Sequence, residues 1–115
     1  MADDSTKPTG EILDRLYRTV LSRRGADPST SYTAKLLSRG TAKIAQKVGE
    51  EAVEAVIEAI RGDRDNLADE SADLLYHLVV LWADAKLAPT EVYTRLAARE
   101  GVSGLEEKKA RKLAN

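Results

Sequence analysis

Glu50, Glu51 and Glu54 share one helical run, and Glu70 and Asp73 share the next. Residues three and four apart lie on one face of a helix, so these carboxylates crowd two narrow stripes with nothing basic between the members of either set. Like charges at such spacings cost roughly 0.2–0.5 kcal/mol per pair, and opposing the two stripes costs more unless a cation neutralises them. A hard divalent ion such as Mg2+ takes oxygen ligands and bridges carboxylates to substrate phosphates. The pattern therefore points to phosphate-ester or phosphoanhydride chemistry. The plain alternative is a solvated charged face, and spacing alone leaves both readings open.

Phosphates need cations besides metals. Lys43 and Lys47 are four apart and precede Glu51 on the same run, where they can reach a phosphate or pair with Glu50 and Glu51. Lys35 and Arg39 repeat the spacing on a segment opened by Ser31, Tyr32 and Thr33. The hydroxyls and free N–H groups there suit a phosphate or a ribose, and Ser31 equally suits a simple helix cap. Tyr32 can stack on a base or belong to the core. His77 follows Asp73 by four on the same stripe, as a substrate contact or as a satisfied structural histidine. Arg23 and Arg24 can bind anions or simply end the first helix favourably.

These groups need helices to hold them. Residues 1–8 read as a disordered tail, after which Thr9 caps a first helix bearing Ile12, Leu13, Leu16, Tyr17, Val20 and Leu21. Gly25 to Thr30 breaks it, a short segment runs from Ser31 to about Arg39, and Gly40 marks a kink. A long helix is expected from Thr41 to Arg61, stopped by Gly62. Asp63 caps the next, which should reach about Lys86. Pro89 starts a further helix with Val92, Tyr93 and Leu96, and residues 100–115 form a charged, marginal helical segment.

No strand-like alternation interrupts this, so the fold class is all-α, a small bundle of about four to five helices over residues 9–99. Leu74, Leu75, Leu78, Val79, Val80, Leu81 and Trp82 cover nearly the whole circumference of one helix. Such a helix is buried on more than one side, and few helices are available to surround it. The expectation is a homodimer with this helix and the preceding long one near the interface; burial under the terminal helices is the alternative.

The 115 residues suffice for one domain. With 18 Lys+Arg against 19 Asp+Glu, no global field recruits nucleic acid or an anionic membrane. The absence of cysteine excludes disulfides, thiolate metal sites and cysteine nucleophiles. The N-terminus lacks the apolar core of a secretory signal, and Leu74 to Ala83 is too short to span a bilayer. A cytoplasmic protein is expected.

The pattern E-E-x-x-E followed by E-x-x-D resembles the signature of the MazG-like all-α nucleotide pyrophosphohydrolases. The strings SYTAKLL at 31–37, KIAQKVGEE at 43–51 and DLLYHLVVL at 73–81 are more specific. They resemble the phosphoribosyl-ATP pyrophosphohydrolase branch of histidine biosynthesis, from about Ile12 to Arg99 and without departure from the family pattern.

The resemblance implies a MazG-like fold and Mg2+-dependent hydrolysis of phosphoribosyl-ATP to phosphoribosyl-AMP and pyrophosphate, with Mn2+ as a possible substitute. It implies Glu51, Glu54, Glu70 and Asp73 as metal ligands; Glu50, the fifth carboxylate, can complete the shell, orient the water, act as general base or form a structural salt bridge. It also favours substrate binding by the segment of Ser31, Tyr32, Thr33, Lys35 and Arg39, while Lys43, Lys47 and His77 complete the candidate substrate-binding set with their structural alternatives still open. Some members are fused to the zinc-dependent phosphoribosyl-AMP cyclohydrolase; without cysteines, this chain is expected to stand alone. Two competitors share the sequence features: a housekeeping hydrolase of dUTP, dCTP or damaged nucleoside triphosphates, and a non-enzymatic helical interaction module.

Overall fold

The computed structural model describes residues 7–101 and 104–114; residues 1–6 of the expected tail lie outside them. The described residues form six helices and no strand: α1 (Ile12–Ser22), α2 (Tyr32–Arg39), α3 (Thr41–Arg61), α4 (Arg64–Asp84), α5 (Pro89–Ala97) and α6 (Gly104–Ala114). None of these helices is long and apolar enough to cross a membrane.

Punctuation residues set most boundaries. Ser31 Oγ accepts the Ala34 N–H at 3.1 Å and opens α2. Gly40, at φ 89°, lets α2 end and α3 begin across a single residue, a conformation that side-chain-bearing residues rarely adopt. Gly62, also left-handed, closes α3 with its N–H on the Ala59 carbonyl, and Asp63 then accepts the Asn66 N–H at 3.0 Å to start α4. Glu91 reaches back to the Ala88 N–H at 3.0 Å ahead of the Pro89 turn.

Two ends differ from expectation. Thr9 caps a preliminary turn by accepting the Glu11 N–H at 3.3 Å, whereas α1 itself starts at Ile12 without a side-chain cap. Helix α4 stops at Asp84 rather than near Lys86. Lys86 takes the left-handed φ of 59° usually filled by glycine, and the Leu87 N–H returns to the Trp82 carbonyl at 2.9 Å.

The α3–α4 hairpin is the most extensive contact, with α1 and α2 also laid on α4 and α5 against α1. The core is Val20, Leu36, Ile44, Val79, Val80, Trp82 and Ala83. Two long-range bonds lock the C-terminal end of α4: Arg24 Nη2 donates to the Ala83 carbonyl at 2.7 Å, and Thr41 Oγ1 to Asp84 at 2.6 Å. Arg24 thus serves the end of α4 rather than that of its own helix.

The all-round apolar character of α4 is therefore satisfied largely within the chain, because α1, α2 and α3 all cover it; Leu75 is its exposed exception. Exposed apolar side chains stand singly on several helices, and on α3 they line up. Val53, Val56, Ile57 and Ile60 form one stripe at i, i+3, i+4 and i+7, with Ile60 84% exposed.

Candidate active site

Antiparallel pairing of α3 with α4 brings the two carboxylate stripes together. Glu51, Glu70 and Asp73 each offer an oxygen, and the three oxygens lie within 4.8 Å of one another. Glu70 is half-buried, and its pKa is raised above the usual carboxylate value, first by burial and then by the charges of Asp73, Glu51 and Glu54. A hydrogen bond with Glu51 pushes the same way. The protein thus gathers negative charge where nothing basic relieves Glu70, and an all-oxygen donor set of this kind suits Mg2+.

Of the four expected ligands, Glu54 stands apart from this group. It is exposed and acts on Glu70 through its charge. Glu50 turns the other way: it accepts from Gln46 at 2.8 Å and pairs with Lys47 at 3.3 Å. Those partners, Gln46 first, hold its carboxyl below the ordinary value, which suits a fixed anion better than a proton acceptor.

The four expected cations converge. Lys35 and Arg39 on α2, with Lys43 and Lys47 on α3, line one cavity of about 190 Å³ together with Tyr32, Leu36 and Glu50. Lys47 joins this cavity to the carboxylates, since its ammonium also lies 3.9 Å from Glu51. Its pKa is raised, chiefly by the hydrogen bond with Glu50, so it stays charged. Both readings of Lys47 hold in geometry: it is paired within its helix, and it faces the cavity.

Ser31 and Thr33 are engaged inside the protein. Ser31 caps α2, while the Thr33 hydroxyl hydrogen-bonds the Tyr76 hydroxyl. His77 is only 5% exposed. Its Nδ1 lies 2.8 Å from the Asp73 carbonyl and its Nε2 3.0 Å from the Tyr32 hydroxyl. Tyr32 is 52% exposed at the cavity, and its ring stacks on Tyr76 with centroids 6.2 Å apart and planes at 23°.

Two residues received no role from the sequence. Tyr76 anchors the first turn of α2; the available signal was its place beside His77 in the DLLYHLVVL string. Glu58 continues the Glu51–Glu54 stripe, is buried, and meets Arg61 at 3.4 Å through one oxygen, while Oε2 has no hydrogen-bond partner among the described residues.

The phosphoribosyl-ATP pyrophosphohydrolase family matches residues 13–100. The phosphoribosyl-ATP pyrophosphatase of Azospirillum brasilense is 69% identical over 97% of this chain and 99% of its own length. That of Gluconobacter oxydans is 60% identical over 87% of this chain and 75% of its own, and that of Paramagnetospirillum magneticum 55% identical over 96% and 97%. The carboxylate trio beside a four-cation cavity is thus carried by a chain that belongs to the phosphoribosyl-ATP pyrophosphohydrolase family.

Proposed function

We infer that the chain hydrolyses phosphoribosyl-ATP to phosphoribosyl-AMP and pyrophosphate in histidine biosynthesis, and that it does so with a divalent cation held by carboxylates. The family and its relatives carry the reaction; the joining of the acidic group to the cationic cavity at Glu51 and Lys47 is the observation that supports the mechanism. Glu51, Glu70 and Asp73 would hold Mg2+, or Mn2+ in its place, and Glu54, whose charge acts on Glu70, would join them on binding. The bound ion would supply charge neutralisation and an activated water near neutral pH.

The residues of the chain account for the rest. Lys35, Arg39, Lys43 and Lys47 neutralise the phosphates and fix the triphosphate beside the carboxylates. Glu50 keeps Lys47 charged and aimed along α3. Tyr32 offers an aromatic face at the cavity wall for the adenine ring. Water adds to a phosphorus of the α–β anhydride as the bond to the departing phosphate oxygen breaks, and the water's proton passes to solvent through a nearby carboxylate.

The test is turnover of phosphoribosyl-ATP against dUTP and dCTP, with Mg2+ and after exhaustive chelation. Hydrolysis confined to phosphoribosyl-ATP and lost with the metal is expected. A preference for a plain triphosphate would overturn the substrate, and full turnover in chelator the mechanism.

Lys47→Ala is expected to raise KM for phosphoribosyl-ATP by about tenfold, the loss of one charge-assisted contact, while Mg2+ affinity stays within about twofold. A protonated lysine pairs with phosphate and cannot coordinate the cation. Kinetic titration of substrate and metal separates the two; an unchanged KM would leave Lys47 as an intrahelical pair only.

The reading includes a homodimer closed over the Val53, Val56, Ile57 and Ile60 stripe of α3, and a cytoplasmic place beside the other soluble reactants of the pathway.

A further inference from the structure

We propose that His77 is a positioning residue for the substrate cavity, holding the Tyr32 ring in place through the Tyr32 hydroxyl. The proposal rests on the reading of that cavity as the substrate site. His77 is too deeply buried to meet substrate itself, while the group it bonds stands half exposed in the cavity wall.

The direction of the hydrogen bonds follows from donor chemistry. The Asp73 carbonyl can only accept, so Nδ1 carries a proton, and with a single proton on the ring Nε2 presents a lone pair. The Tyr32 O–H must then donate to Nε2. His77 also meets Tyr76 edge-on at 5.1 Å and Tyr32 edge-on at 5.9 Å, and these contacts orient the imidazole. One residue along, the Thr33 and Tyr76 hydroxyls make a parallel tie. Two neighbours at the start of α2 are thereby fastened to two neighbours in the middle of α4.

Such a brace matters because α2 is only 8 residues long and Tyr32 is its first residue. A helix this short has little stability of its own, and an exposed tyrosine at its end samples several rotamers unless held. With the tether intact, one ring face rests against Tyr76 and the ring is already placed at the cavity beside Lys35 and Arg39. Without it, substrate binding must order the ring. That cost falls on KM, because cavity preorganisation and not bond breaking is lost. The Asp73 carboxylate is spared, since its backbone carbonyl also lies within the hydrogen-bond ladder of α4.

Steady-state kinetics with phosphoribosyl-ATP, accompanied by melting curves, tests this in Tyr32→Phe, His77→Leu, the double variant and His77→Gln, with Lys47→Ala as a control. Tyr32→Phe keeps the ring and removes only the tether. It should raise KM about fivefold with kcat within about twofold, the weight of one ordinary hydrogen bond. His77→Leu should do the same, the double variant no more than the larger single effect, and His77→Gln should recover most of the loss because its amide oxygen restores an acceptor. Loss of folding by His77→Leu leaves the Tyr32→Phe and His77→Gln measurements decisive. Multiplicative KM effects in the double variant, or an unchanged KM in Tyr32→Phe while Lys47→Ala raises it, would overturn the proposal alone. Unchanged KM in Lys47→Ala as well would remove the cavity from substrate binding and take both readings with it.

Discussion

Glu70→Gln and Asp73→Asn are each expected to keep less than about a hundredth of the parent's turnover and yet to melt, in chelator, at or above the parent's temperature. The activity loss follows from the proposed site, where each carboxylate would be a charged oxygen ligand to a metal asked for several kcal/mol of transition-state stabilisation, each 1.4 kcal/mol being about tenfold in rate. The stability gain follows from the metal-free charge distribution. Burial first, then Asp73, Glu51 and Glu54, raise the folded pKa of Glu70, so the folded state holds that proton more tightly than the unfolded chain does. Its favourable contribution is complete below the unfolded value of about 4.3 and is lost as pH rises through the folded value. In chelator, the gap between Glu70→Gln and the parent should therefore be small near pH 4 and should open toward neutrality in favour of the amide. Saturating Mg2+ reverses the order, because a ligand at about 100 times its Kd stabilises the state that binds it by about 2.7 kcal/mol. Melting curves over pH, with and without Mg2+, together with turnover, decide the matter. An active Asp73→Asn enzyme, or amides that track the parent under every condition, would return these carboxylates to a solvated face.

Helix limits and candidate-site side chains were legible to different degrees, for physical reasons. Ser31, Gly40, Gly62, Asp63 and Pro89 act locally, through caps and backbone conformations that belong to the residue itself, and they place α2, α3, α4 and α5 where the sequence suggests. The end of α4 was not marked this way, because Lys86 adopts the left-handed conformation without being glycine. Lys35 with Arg39 and Lys43 with Lys47 were each readable as a four-residue pair, whereas the turn at Gly40, which periodicity does not describe, brings the two pairs to one cavity. The separate roles of Glu50 and Glu51 were suggested by the family resemblance and not by spacing. Adjacent helical residues point about 100° apart, and only the placement of α2 and α4 shows that Glu50 faces the cations and Glu51 the acids. The Tyr32–His77 and Thr33–Tyr76 ties join residues far apart in sequence, and no periodicity encodes them. The apolar circumference of α4 shows that neighbours exist without showing that α1, α2 and α3 supply many of them.

Ile60→Asp is expected to convert a homodimer to a monomer, with a fall in melting temperature that depends on protein concentration in the parent and not in the variant. Val53, Val56, Ile57 and Ile60 make one continuous apolar stripe, whereas apolar residues scattered singly over a surface need no partner. A twofold dimer closed on this stripe pairs the face with itself, so each substitution enters the interface twice. Burying an isolated leucine-sized side chain is worth about 1.5–3 kcal/mol, and an unpaired buried carboxylate costs several more. A penalty of roughly 3 kcal/mol per copy weakens association by about 10⁴-fold, enough to dissociate a nanomolar dimer at micromolar protein. Because the stripe shares α3 with Glu51 and Glu54, loss of the partner should also loosen the helix that presents the acidic group, lowering Mg2+ affinity in step with dissociation. Sedimentation equilibrium of parent and Ile60→Asp across a dilution series, with Mg2+ titrated at each concentration, reads both effects. Arg64→Asp, an exposed change at the start of α4, controls for added negative charge. A parent that sediments as a monomer at every concentration, or an Ile60→Asp protein that remains dimeric, would exclude this face as the interface.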